Sequence, residues 1–368
     1  MLKVEKLTHY IFYLGLVITL LSLTNIQLPI HSKYINLIPT ILGLIPYIFY
    51  VRARKLPDGT FQSLGLVFVY SIIIFLFHNR FEIEWSIITL LIYLPLIRSE
   101  EKGFLKGIII IKLIVVSMIV AATLIGVVSD TTLVKFNGVA HSLGFFHPNT
   151  LGTIFLSIFL DSILLLKGIK NHYILIFFGL FLYLDYRITY SRTSFLVISF
   201  AILVFLFRNI LKKIEINKFL FSMSTVIIFL IGIFISVFYN SANPFYIQLD
   251  AFLSNRIRLG SLYIQRYDFD IFPQFTPNII PAGWWSYDQL FNDNTYLKFI
   301  LSQGILLTIL FLSYLIFQIY RKKFTLFNAM LIILTFAVLV TEALGFNIFL
   351  FTPLLLNYMS ISKNTETT

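Results

Sequence analysis

Apolar runs of about twenty residues recur along the whole of this 368-residue chain, and none carries more than two charges. A helix crossing a hydrocarbon core of about 30 Å needs such a run, because its backbone groups have no water to bond and must bond within the segment. Twelve runs can be placed near residues 10–30, 35–50, 61–77, 83–97, 107–128, 148–166, 172–189, 191–207, 219–239, 294–319, 324–341 and 343–360. The expected fold is therefore all-α: a polytopic membrane helix bundle of about twelve transmembrane helices forming one integral membrane domain over residues 1–368. With 58% hydrophobic and only 12% charged residues the chain is no soluble globule. The runs are apolar all round, whereas membrane β-barrel strands alternate.

The first run, Tyr10 to Ile30, is longer than a signal-peptide core and has no small-residue cleavage site after it, so a retained span is expected. There is no cysteine, which excludes a disulfide, a thiolate nucleophile and a cysteine metal site. The net charge of +11 invites a nucleic-acid partner. Most Lys and Arg fall in short links between the runs, however, a pattern that reports topology. With the N-terminus inside, links such as Arg52–Lys55, Arg208–Lys218 and Arg321–Lys323 lie in the cytoplasm. Basic residues then favour that side by roughly two to one, and both termini are expected to be cytoplasmic. Lys112 and Asp161 are expected near the ends of their spans, where they reach water, and Glu342 at an outer end. With no charge expected at mid-depth, a proton- or ion-coupled transporter is disfavoured.

The largest polar stretch, residues 240–293 between the ninth and tenth runs, is expected as an extracytoplasmic loop. It carries Arg256, Arg258, Arg266, Asp268, Asp270, Asp288 and Asp293. Four constellations stand out. In YLDYRITYSRTSFL, Arg187 and Arg192 are expected at headgroup depth, either snorkelling beside Asp185 or forming a phosphate site, since guanidinium forks suit phosphate oxygens. In HSLGFFHPNTLG, Pro148 opens a helix and Asn149 can cap it; His141 and His147 have no Glu or Cys at metal-ligand spacing. Asp268-Phe269-Asp270 is a D-x-D, weak as a metal motif beside the reading of a solvated loop pair. In NDNTYLKFILSQG, Asp293 or Asn294 is either a helix N-cap or, for Asp293, a general base at the membrane surface.

Taken in order, GFFHPNTLG (144–152), SRTSFL (191–196), LSNRIRLGS (253–261), DNTYLKFILSQG (293–304) and TEALGFNIFLFTPLL (341–355) resemble the O-antigen ligase and oligosaccharide repeat-unit polymerase superfamily. The ligases of that family carry a catalytic histidine before Asn, Ser or Gln, with a glycine ten residues after that second position. Here Asp293-Asn294 and Gly304 keep the frame with aspartate for histidine, which is more similar to the polymerases. The resemblance implies transfer of glycans from an undecaprenyl-diphosphate carrier on the outer face of the bacterial inner membrane, in capsule, exopolysaccharide or O-antigen synthesis. It implies no cofactor and no metal. The partners are lipid-linked oligosaccharide donor and acceptor, the bilayer, chain-length regulators and flippases, and no nucleic acid.

On this reading Arg192 and Arg256, with Arg187 and Arg258 second, stabilise the leaving diphosphate, and Asp293 takes the acceptor proton. Arg266, His147, Asn149, Asn294 and Tyr296 are further substrate-binding candidates, and Trp284 and Trp285 offer faces for sugar rings. Two alternatives stay open: a ligase moving finished polymer to another acceptor, and a transporter of lipid-linked oligosaccharide.

Overall fold

The computed structural model describes residues 2–26, 35, 37–77, 84–97, 102–135, 138–168, 173–276, 292–342 and 344–360. Trp284, Trp285 and Asp288 lie outside them. In chain order the elements begin with α1 (Leu2–Ser22), α2 (Leu37–Arg52), α3 (Thr60–Phe77), α4 (Trp85–Leu96) and α5 (Lys102–Leu124). An antiparallel hairpin follows, β1 (Thr132–Lys135) and β2 (Gly138–His141). Then come α6 (Pro148–Leu166), α7 (Tyr173–Thr189), α8 (Arg192–Leu206), the short α9 (Arg208–Leu211) and α10 (Lys218–Val237). Last are α11 (Pro244–Phe252), α12 (Arg256–Arg266), α13 (Thr295–Tyr320), α14 (Leu326–Val338) and α15 (Leu356–Met359). Among the described residues six helices (α1, α3, α5, α6, α10 and α13) are long and apolar enough to cross a membrane, and α2, α4, α8 and α14 are shorter apolar helices.

The distribution of side chains is that of a protein dissolved in lipid. On α3 the heptad-spaced Phe61, Phe68 and Phe75 are exposed, whereas Thr60, Ser63 and Tyr70 are buried. Ser63 bonds the Tyr314 hydroxyl and Tyr70 donates to Gln303, both on α13. Polar groups turn inward because only another helix can satisfy them there.

Two expectations need correction. The last apolar run is not a membrane helix: residues 344–360 thread the bundle as bends, a 3-10 turn at Thr352–Leu354 and the single turn of α15. Phe346, Ile348, Phe349, Leu350, Phe351 and Leu355 are all buried, so protein surrounds this segment, and irregular backbone is tolerated at such depth only when it is so enclosed. Side chains from other helices satisfy its carbonyls: Lys112 donates to Leu350 O (2.9 Å) and Asn328 Nδ2 to Met359 O (2.6 Å). Nor do Lys112 and Asp161 reach out to water. Lys112 sits in the middle of α5, which starts earlier than its apolar run, and its Nζ lies 2.6 Å from Asp161 Oδ2 with both side chains fully buried.

Over residues 240–276 the polar stretch after α10 carries two helices and a docked segment. α11 and α12 meet at a left-handed Ser254-Asn255 pair, and the Asp250 carboxylate accepts the Arg258 N–H. α12 packs closely on α10 at Gly260, where a Cβ would stand 2.4 Å from Ser236 Oγ. Beyond α12 the chain docks into a break in α13. Gly304 there has φ 80° and ψ 164°, outside helical geometry. The N–H groups freed by the break donate to this segment, Ile305 to Asp270 O at 2.9 Å and Leu306 to Ile271 O at 3.1 Å. Gln274 N–H returns a bond to Ser302 O at 3.1 Å, and Phe272 stacks on Phe77 of α3.

Candidate functional site

One end of the bundle gathers the starts of α6, α8, α12 and α13 and the ends of α7 and α14, and Arg256 is its hub. Asp250 fixes the first turn of α12, and the close α10 contact turns that helix so that Arg256 points inward. Its Nη1 donates to Glu342 Oε1 (3.1 Å) and Thr193 Oγ1 (3.2 Å), and its Nε lies 3.2 Å from Asp293 Oδ2. Glu342 follows α14, Thr193 opens α8 and Asp293 precedes α13, so one guanidinium ties together three other elements. Thr193 and Thr341 hydroxyls meet at 3.3 Å behind it.

A second cation stands beside this hub. Lys135, at the end of β1, donates to Asn149 Oδ1 (2.9 Å), Thr189 O (2.9 Å) and Tyr190 O (3.2 Å). All three of its ammonium protons are thus committed, and they hold the α7–α8 link from which Arg192 and Thr193 project. Burial, then the nearby Arg256, lowers its pKa to about 8. His147 is the N-cap of α6 and accepts the Asn149 N–H at Nδ1 (3.0 Å). Burial first, then Lys135 and Arg256, lowers its pKa to about 4, so it stays a neutral imidazole near pH 7. Burial raises the Glu342 carboxyl to about 7 against the pull of Arg256, and it raises that of Asp293 as well.

The remaining candidates are placed as follows. Arg192 Nη1 donates to Ala251 O (3.0 Å) and Phe252 O (3.3 Å), the last carbonyls of α11, so it stands at the site but works as a helix C-cap. Arg187, Arg258 and Arg266 are exposed. Asn294, not Asp293, caps α13: its Oδ1 accepts from Tyr296 N (3.0 Å) and Leu297 N (3.1 Å), and its Nδ2 donates to Gly232 O. Tyr296 is buried and donates to Phe336 O at 2.7 Å, so both spend their polar atoms inside the fold. In the D-x-D, Asp270 Oδ1 accepts the Phe272 N–H two residues on, and both residues serve the segment docked at Gly304. Among the described residues no three His, Asp or Glu side chains cluster as a metal site.

Sequence reasoning missed the roles of Glu342, Thr193 and Lys135. Glu342 carried a signal, a lone acid just past an apolar run, but its partner lies 86 residues away. Lys135 was visible only as one more loop charge. No protein-family model, curated protein or solved structure matches the chain.

Proposed function

We propose that this chain is a membrane glycosyltransferase that polymerises undecaprenyl-diphosphate-linked oligosaccharide repeat units into a surface polysaccharide. On this reading it acts at the outer face of the bacterial cell membrane, with both termini cytoplasmic. One observation carries it. Of the five stretches on which the family resemblance rests, four each bring a residue to the Arg256 side chain: Thr193, Asp293, Glu342 and Arg256 itself. The fifth packs directly against one of these, where Gly152 faces Ser191 and Ser194.

The residues suit the reaction. The acceptor hydroxyl attacks the anomeric carbon of the donor sugar, the bond from that carbon to the diphosphate oxygen breaks, and the configuration inverts. The hydroxyl proton passes to Asp293, and the carrier diphosphate leaves with the bonding electrons onto the guanidinium of Arg256. Arg192 and Lys135 add positive potential and hold the scaffold. Purified protein in detergent, given a lipid-diphosphate-linked repeat unit without nucleotide sugar or metal, should yield a ladder of extended products. Arg256→Ala and Asp293→Asn should each abolish the ladder in protein that melts like the wild type. An intact ladder in both variants would sink the mechanism.

A specific observation favours a second reading. Transporters place ionisable pairs in the membrane interior, and Lys112–Asp161 is such a pair. A transporter would move the lipid-linked oligosaccharide between leaflets of a vesicle and leave its mass unchanged, whereas the polymerase makes longer products. A ligase would make no ladder and transfer preformed polymer to a supplied acceptor.

A further inference from the structure

The two carboxylates on Arg256 are not equivalent, and the inference drawn from this rests on the diphosphate-donor reading above. Glu342 is 7% exposed and Asp293 29%. The backbone at Glu342 is also locked, because its carbonyl accepts the Thr295 hydroxyl, whose oxygen in turn accepts the Gly345 N–H at 3.3 Å. Asp293 sits on the other edge of the guanidinium, at Nε, while Nη2 makes no bond among the described residues. The Nε–Nη2 edge is the fork that accepts two phosphate oxygens side by side. A diphosphate reaching that fork must take the place of Asp293. Glu342 and Thr193, on Nη1, are left undisturbed.

We propose that Glu342 is the positioning residue of the site, the permanent counter-ion that keeps the Arg256 fork turned to the more exposed Asp293 side, and that Asp293 is an exchangeable counter-ion displaced by the diphosphate of a lipid-linked donor. Displacement would couple donor binding to base formation. Asp293 loses the cation that neutralises it only when the leaving group has arrived, and its affinity for the acceptor proton then rises.

Inorganic pyrophosphate titrated into full-length protein in detergent, followed by calorimetry, tests this. Asp293→Asn removes a competing anion and should tighten binding about tenfold. Glu342→Gln should weaken it about tenfold, because Arg256 then turns its fork onto Asp293. The double variant should return to wild-type affinity or better, since no carboxylate remains for the fork to collapse upon. Simple Coulomb repulsion predicts instead that both single variants bind more tightly. A Glu342→Gln protein that binds as well as or better than wild type therefore overturns the proposal, and so does a double variant that stays weak. Thr193→Val, which removes the other Nη1 acceptor, should weaken binding in the same direction and covers the case in which Glu342→Gln does not fold. A short-chain polyprenyl diphosphate should compete with pyrophosphate, and inorganic phosphate should not. Equal pyrophosphate binding by wild type and Arg256→Ala, or none by either, would instead remove the diphosphate reading itself, an outcome that does not depend on the carboxylate variants.

Discussion

Arg256 shows how one buried side chain can tie several elements of a fold together. A buried guanidinium is costly unless it is paired, and here two carboxylates and a hydroxyl engage its Nε and Nη1. Their competition sets the pH response. The groups facing Glu342 are Arg256, Asp293, Thr193 and, at longer range, Lys135. With burial holding the Glu342 carboxyl at about 7, acidification through that value neutralises it and takes away the inner partner of Arg256. Chain extension should fall on the acid side of pH 7, and Glu342→Gln should reduce that limb to the part that comes from protonating the base Asp293. A histidine is the usual suspect for such a limb, but His147 is held near 4 and titrates well below it. His147→Asn should leave the limb where it is. Stability should move the other way. A carboxyl raised from 4.5 to about 7 binds its proton more tightly in the folded state, so its contribution is present below about pH 4.5 and is lost as pH rises through 7. Thermal melts of wild type and Glu342→Gln across this window would read that difference directly.

Among the elements, the break in α13 makes the sharpest claim. A Cβ on Gly304 would lie 2.6 Å from the Phe272 carbonyl carbon and 2.7 Å from two backbone oxygens, at a φ of 80°. Gly304→Ala should therefore cost about 2 kcal/mol or more through backbone strain and displacement of the docked segment. Lower thermal stability and faster protease cleavage between Asp268 and Thr276 would report it. Gly65→Ala, on the open face of helical α3, meets nothing within 4 Å and should be neutral or stabilising by up to about 1 kcal/mol. The mostly helical fold with its long apolar helices was legible because length and hydropathy decide it, and so was the α13 start, where Asn294 follows ordinary capping chemistry. The break at Gly304 was not, because apolar residues continue on both sides and only the docked segment gives the glycine its reason. Residues 344–360 misled for a similar cause: hydropathy measures what surrounds a segment, and a thread wholly enclosed by protein is as apolar as a helix in lipid. The site was half legible. Arg256 and Asp293 announced themselves, while Glu342 and Lys135 acquire their roles only when distant segments meet.

At the scale of the whole molecule, that thread and the buried ion pair form one device. Residues 344–360 run from Glu342, at the site, towards the opposite end of the bundle, where Asn328 in the first turn of α14 binds Met359 O. Part-way along, Lys112 holds Leu350 O while its charge is balanced by Asp161. The pair thereby fixes to α5 and α6 the segment that follows the counter-ion of Arg256. Removing one partner leaves an uncompensated charge in the interior, so Lys112→Met should cost about 3–5 kcal/mol. Replacing both, as Lys112→Met with Asp161→Leu, removes the charges together and should recover most of that loss, as melts in detergent would show. The activity of this double variant separates the two readings of the pair. If it is a fastener for the thread, the refolded double variant still extends chains, with at most a modest loss from a loosened Glu342. If it is the coupling element of a transporter, the double variant is stable yet moves nothing across a vesicle, because the coupling pair is gone.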